Sequence, residues 1–316
     1  MIEASAAPSD PTDNAAFATA RPRLSVLIPF LRDDPCPLIG ALDREAEVVG
    51  DRVELILLDD GTADARLTQD VAHALDGARL PGRLVSLAAN EGRARGRNRL
   101  AAQARSDHFL FLDSDMRPDR DKFLQAWLDL IADTDPPMAF GGFSLKTAPR
   151  DRAFAVHRRL SATRECLGAA ERTLHPAKHV FTSNLLIRRD VFEAEPFDAG
   201  FTGWGWEDVE WAMRAGRRFP ILHVDNPATH LGLDTVEALA RKYESSIANF
   251  VRVVARHPDV VAAYPSYRAA RLIKRAPGRT ALRRLFRAAA LSALLPTVAR
   301  TVSLRLYRAA LYAEAL

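Results

Sequence analysis

Cysteine is scarce: two in 316 residues, Cys36 and Cys166. That excludes a disulfide framework, suits a reducing compartment and makes both side chains small buried hydrophobes rather than reactive thiols. Long apolar runs are missing too. Nothing approaches the ~18 consecutive residues that would span a bilayer. The first 20 residues are rich in Ala, Pro, Ser, Asp and Thr, with no basic start and no apolar stretch, so they are not a secretory signal. Residues 1–21 read as a disordered leader. Acids are missing from the far end: from Arg268 onward eleven Lys or Arg stand against one acid, Glu314. That stretch has a local net charge of +10, so the remainder must carry −6 to give the overall +4. The basic tail lacks the aromatic interleaving of a nucleic-acid surface, which excludes that partner.

What is present is ordinary for a globular protein, 48% apolar and 27% charged. Apolar runs at 24–28, 53–58, 82–87, 109–112 and 180–187 predict buried strands, with a further strand over 139–143. Helices are expected over 37–49, 93–104, 208–215 and 235–257, with helical sequence over 151–171. Strands alternating with helices, each strand nearly all apolar, predict an α/β fold with a mostly parallel sheet covered on both faces. Ligands of such sheets sit beyond the carboxyl ends of the strands.

Acids gather at those ends. Phe111-Leu112-Asp113-Ser114-Asp115 closes one strand, and residues two apart on an extended chain share a face. Asp113 and Asp115 can therefore turn to one ligand, and hard oxygen donors suit Mg²⁺ or Mn²⁺ with a diphosphate. A solvated turn explains the same residues more plainly. Asp59-Asp60-Gly61-Thr62 closes another strand, where Asp60 can accept from a nucleobase imide or simply make an Asp-Gly turn. Pro29 and Phe30 end the first strand, flanking a flat base or packing in a loop. Asn90-Glu91-Gly92-Arg93-Ala94-Arg95-Gly96-Arg97-Asn98-Arg99 sets arginines at a helix start, an arrangement suited to phosphate, though neither a Walker loop nor a dinucleotide fingerprint.

The second informative stretch is Gly203-Trp204-Gly205-Trp206-Glu207-Asp208. Glycines admit a ligand close to the backbone, and Trp204 and Trp206 offer flat faces for a sugar. The acids also suit a helix start, where the dipole favours them. That explains one acid and leaves the two tryptophans unexplained.

Taken in order, residues 24–30, 57–62, 90–98 and 111–115 resemble the successive motifs of the family-2 glycosyltransferases, and the likeness runs from about residue 23 to 258. Residues 203–208 resemble the Gly-Trp-Gly-x-Glu-Asp element of inverting galactosyl- and N-acetylgalactosaminyl-type members. The resemblance implies a GT-A fold, a nucleotide-sugar donor (usually a UDP-sugar) and a divalent metal. It implies Asp60 and Arg97 at the nucleotide, Asp113 near ribose and metal, Asp115 on the metal with His230, Asp208 as catalytic base and Glu207 at the acceptor. Asn184, Trp204 and Trp206 are expected to touch acceptor or sugar. The organisation expected is a catalytic domain over 22–234 and a helical basic extension over 235–316. Residues 268–316 suit either an anionic membrane surface or packing on the core. The expected function is inverting, metal-dependent transfer of a sugar to a glycan or lipid-linked acceptor, in the cytoplasm or at the inner face of its membrane. A nucleotidyltransferase would share the sheet and metal acids without needing residues 203–208. A non-catalytic nucleotide-binding protein docked on a membrane is the other rival.

Overall fold

The apolar runs become strands. The computed structural model describes residues 10–316, with β1 (Thr12–Asp13), β2 (Leu24–Phe30), β3 (Val53–Asp59), β4 (Gly82–Ser86), β5 (His108–Leu112), β6 (Met116–Pro118), β7 (Met138–Phe140), β8 (Phe143–Ser144), β9 (Asn184–Arg188), β10 (Ile221–His223) and β11 (Ala228–His230). Eight form one sheet in the order β1-β4-β3-β2-β5-β9-β7-β10, and β6-β11-β8 form a second. β4, β3, β2 and β5 run parallel, while β9 is antiparallel to both its neighbours.

Alternation along each strand divides the core between the two faces. Leu27, Ile56, Leu58, Phe109 and Phe111 join one cluster, and Val26, Leu55, Leu57, Leu110 and Leu112 the other. Because both faces are covered, the strands read as continuous apolar runs rather than alternating ones.

Several elements depart from the sequence expectation. Residues 1–9 lie outside the described residues, but the rest of the supposed leader is ordered: β1 pairs with β4, Phe17 is buried, and Asn14 bonds the backbone at Leu75, Leu80 and Gly82. The strand expected over 139–143 is cut at Gly141-Gly142, where the chain leaves one sheet for the other. A Cβ on Gly141 would lie 2.5 Å from the Asn184 amide, and Gly142 has φ 95°, so only glycine fits both. The helix expected over 37–49 stops at Asp43 and resumes at Ala46. Between them Glu45 turns inward and accepts from the N–H groups of Leu124 and Gln125, capping another helix. The long helix expected over 235–257 breaks at buried Ser246, whose hydroxyl donates to the Tyr243 carbonyl.

The C-terminal extension is not a separate body. Helix Thr297–Ala315 places Leu304, Tyr307, Leu311 and Tyr312 in the same cluster as Phe109 and Trp206. Helix Arg279–Leu291 adds only Ala290 to that cluster, packs Phe286 and Leu291 against it, and leaves Leu285 exposed. No helix of the described residues is long and apolar enough to cross a membrane.

Candidate active site

The register of the small sheet decides where the first acids point. β5 ends at Leu112, and a turn closed by the Met116 N–H on the Asp113 carbonyl carries Asp113-Ser114-Asp115 into β6. β6 pairs antiparallel with β11 so that Met116 faces His230. His230 Nε2 therefore sits 3.1 Å from Asp115 Oδ2, across 115 residues of chain. Burial pulls the His230 imidazole down, but the hydrogen bond and charge of Asp115 outweigh it and raise its proton affinity. Burial likewise pushes Asp115 up, and His230 with Arg93 holds it below the usual carboxylate range. Gly232 passes so close that a Cβ there would lie 1.9 Å from Asp115 Oδ2. His157 packs edge-on against His230 at 5.7 Å and accepts from the Asp234 N–H. Asp115 also borders a cavity of about 450 Å³ lined by Asp33, Pro37, Ser114 and Gly232.

Arg97 joins these acids to the second half of the chain. It stands one turn into helix Arg93–Gln103 and is 1% exposed. One Nη donates to Asp113 Oδ1 (3.1 Å) and the other to Glu207 Oε1 (3.3 Å). Glu207 Oε2 is buried without a hydrogen-bond partner, as is Arg97 Nε.

Glu207 and Asp208 open helix Glu207–Ala215 after a strained approach. Gly203, Gly205 and Trp206 all have positive φ, 72°, 86° and 77°. A tryptophan rarely adopts that conformation, at a cost of about 1–3 kcal/mol. Asp208 is half-buried and accepts from the Val209 N–H. Burial, then the charge of Glu207, pushes its carboxyl up to about 7, against the opposing pull of Arg97.

Other expected residues take different places. Asp60 accepts from the N–H groups of Glu91 and Gly92 and from the Asn90 amide, so it shapes the loop before helix Arg93–Gln103. Gly61 makes this possible, since a Cβ there would meet the Ala89–Asn90 backbone at 2.4 Å. Pro29 is half-buried, but Phe30 belongs to the core, not to the cleft, because its strand position faces the covered side of the sheet. Asn184 is fully buried and donates to the carbonyls of Gly142 and Asn226, stapling the crossing between sheets; it reaches no acceptor. Trp206 turns inward against Phe250 and Tyr312, whereas Trp204 stays half-exposed beside Tyr243. His223, seven residues before His230, accepts at Nδ1 from Arg172, and its proton affinity drops to about 4, mainly through burial. Cys36 and Cys166 are half-buried free thiols pushed up to about 12 by burial.

Arg93 was not singled out by its sequence. It is the first residue of its helix, exposed, and 4.0 Å from Glu207. Its charge acts on Glu207, Asp113, Asp208 and Asp115 together. The signal was present in the arginine-rich stretch, but helical phase alone did not separate Arg93 from Arg95 or Arg99, and the latter pairs with Glu91.

Two adjacent donors, Asp115 and His230, lie within reach of one cation. Their 3.1 Å separation matches neighbouring ligands on a metal with bonds of about 2.1 Å. Among the described residues no cluster of three or more His, Cys, Asp or Glu completes a cage.

The sequence model of glycosyl transferase family 2 matches residues 25–195, more than half of the chain. Among curated proteins, none matches the sequence. In fold the chain is similar to the mannosyltransferase PcManGT of Pyrobaculum calidifontis, solved in complex with GDP-Man and Mn²⁺. That superposition has a TM-score of 0.57 at 16% identity over 96% of this chain and 89% of that one. It is also similar, at a TM-score of 0.48 and 14% identity over 90% and 89%, to residues 1–349 of S. aureus TarS in complex with UDP-GlcNAc. The first likeness establishes the GT-A architecture; the second is too distant to carry an argument.

Proposed function

Since this chain belongs to glycosyl transferase family 2 and is a glycosyltransferase, we propose that it moves a sugar from a nucleotide-sugar to an acceptor hydroxyl in one displacement, with inversion. The observation that carries this reading is Asp208, a carboxyl raised to about 7 and linked through Glu207 and Arg97 to the Asp113–Asp115–His230 group.

A base working near neutrality needs a proton affinity near the operating pH. Asp208 takes the proton of the acceptor hydroxyl as that oxygen attacks the anomeric carbon. The bond to the diphosphate breaks on the opposite face, and the electron pair leaves with the nucleoside diphosphate. The open Oε2 of Glu207 supplies an acceptor for a hydroxyl of the incoming sugar. Trp204 offers a ring face beside the same loop. Arg93 meets the charge growing on the leaving diphosphate. Asp60 Oδ1 takes only one of the three loop hydrogen bonds, which leaves it free to accept from a base imide such as uracil's. Asp115 and His230 would hold a divalent cation, Mn²⁺ or Mg²⁺, which when bound offsets negative charge on the diphosphate.

The reading extends to place and partners. The acceptor is a glycan or a lipid-linked glycan, and the enzyme works in the cytoplasm at the inner face of its membrane. Leu294, 95% exposed between the last two helices, together with exposed Leu285 and Leu272 and the surrounding arginines, supports contact with anionic lipid. The test is release of nucleoside diphosphate from a panel of UDP- and GDP-sugars with Mn²⁺. Release of UDP or GDP that is lost in D208N supports it. Release of pyrophosphate, or no turnover of any sugar nucleotide by folded protein, overturns it.

A further inference from the structure

Four arginines collect where helix Ala155–Ala162 and the turn after it meet helix Thr297–Ala315. Arg159 and Arg164 come from the first segment, Arg305 and Arg308 from the last helix. Arg305 Nη2 donates to Thr163 Oγ1 at 3.1 Å and ties the two segments together. Among the described residues none of the four forms an ion pair with a carboxylate, whereas Arg283 and Arg287 nearby in the chain pair with Glu314 and Glu244. Burial and then the charges of Arg164 and Arg159 lower the proton affinity of Arg305. Its Nε is buried with no hydrogen-bond partner. Arg308 is held in place by three rings, Trp206, Tyr243 and Tyr312, at 5.0–5.3 Å.

Solvated arginines would spread apart and keep every N–H in water. Arg159 and Arg164 are exposed, but Arg305 and Arg308 are half-buried, and the buried Nε of Arg305 is left unfilled beside the repelling charges of Arg164 and Arg159, so the arrangement lacks an anion. A phosphate, with several acceptor oxygens and up to two charges, matches convergent guanidinium forks better than a single carboxylate does. The cluster also adjoins the proposed cleft. Tyr243 lies within the field of Arg308, Glu165 and Arg164, and Glu165 acts in turn on His230. Trp204 stands 6.0 Å from the Tyr243 ring.

We propose that Arg159, Arg164, Arg305 and Arg308 bind a phosphate group carried by the acceptor, so that the acceptor is an anionic, phosphate-bearing glycan or lipid. This rests on the glycosyltransferase reading of the neighbouring cleft. The phosphate belongs either to a soluble phosphorylated acceptor or to a lipid headgroup.

The test compares wild-type, R164A/R305A and R159A/R164A proteins in EDTA. Each is titrated with inorganic pyrophosphate, followed by tryptophan fluorescence, and in a parallel arm with vesicles of equimolar phosphatidylcholine and phosphatidylglycerol. Arg159 and Arg164 are exposed, so the second variant reports even where the first fails to fold. Weakening of pyrophosphate binding by roughly tenfold or more in a folded variant supports the site. Vesicle capture that depends on these arginines, without pyrophosphate binding, supports it with a lipid-borne phosphate. Equal binding of both probes by wild type and R159A/R164A overturns it. Thermal stabilisation of the wild type by a nucleoside diphosphate with Mn²⁺ is read separately. Its absence counts against the donor site and leaves the arginine result standing.

Discussion

The indole Nε1 of Trp206 donates to the phenolic oxygen of Tyr312 across 2.9 Å. The same oxygen accepts from Arg308 Nε at 2.9 Å and lies 3.0 Å from Ser246 Oγ. Ser246 already donates to the Tyr243 carbonyl, so Tyr312 must donate to Ser246, and every hydrogen is then used once. Tyr312 also stacks on Phe250, ring centroids 3.8 Å apart. The last helix thus holds the left-handed Trp206 that delivers Glu207 and Asp208. Tyr312→Phe strands two buried donors and is expected to lower stability by about 1–3 kcal/mol in urea unfolding. It should also reduce kcat more than it raises KM. A variant with full stability and wild-type kcat would show that the last helix does not position the loop.

Asp208 sets a pH dependence of opposite sign for activity and for stability. With Asp208 as the proposed base, activity would require the carboxylate, so kcat/KM should fall below about pH 7 along a single acid limb. Asp208→Asn should remove transfer by about 10³-fold and with it that limb. Its folded-state proton affinity is raised, so its contribution to stability is complete below pH 4 and is lost as pH rises through 7. The Asn protein should therefore gain on wild type by about 1–2 kcal/mol at pH 8, a figure reduced for partial solvent access, and gain nothing at pH 4. Denaturation curves at the two pH values decide the matter.

Arg97 is the clasp between the halves of the site. Arg97→Ala leaves buried Glu207 with only the exposed Arg93, 4.0 Å away, as a cation, which should cost about 3 kcal/mol. Arg97→Lys retains charge but reaches only one of two carboxylates, and an intermediate loss is expected. Equal melting temperatures for all three proteins would contradict the assignment.

Gly232→Ala puts a methyl group where Asp115 Oδ2 lies. The fold should survive, because the clash is with the end of a side chain, but the Asp115–His230 pair should separate. Stabilisation of the protein by Mn²⁺ in a thermal melt should then be lost. Retention of the full shift in the variant would place the metal elsewhere.

Leu285→Glu with Leu294→Glu should release the protein from phosphatidylglycerol vesicles in a sedimentation assay while leaving its melting temperature within about 2 °C of wild type, since both side chains are exposed. A large fall in melting temperature would mean instead that these leucines pack on the core.

The sequence by itself determined the parallel heart of the sheet, because strands covered on both faces must be apolar throughout, as β2, β3 and β5 are. It also named the acids at the strand ends and the Gly-Trp-Gly-Trp-Glu-Asp loop, since their chemistry is carried by residue type and order. Only the tertiary structure decided where the side chains of that loop point. Trp204 and Trp206 are equivalent in a sequence, yet one stays half-exposed and the other is buried by Tyr312, 106 residues away. Asn184 and Phe30 were drawn inward for the same reason, the first by the crossing at Gly141-Gly142 and the second by the face of β2 on which it falls. The Asp115–His230 contact follows from the pairing of β6 with β11. Local propensity specifies which residues extend or coil, but the direction of a side chain is set by whichever distant surface packs against it, and that partner is chosen by the whole fold.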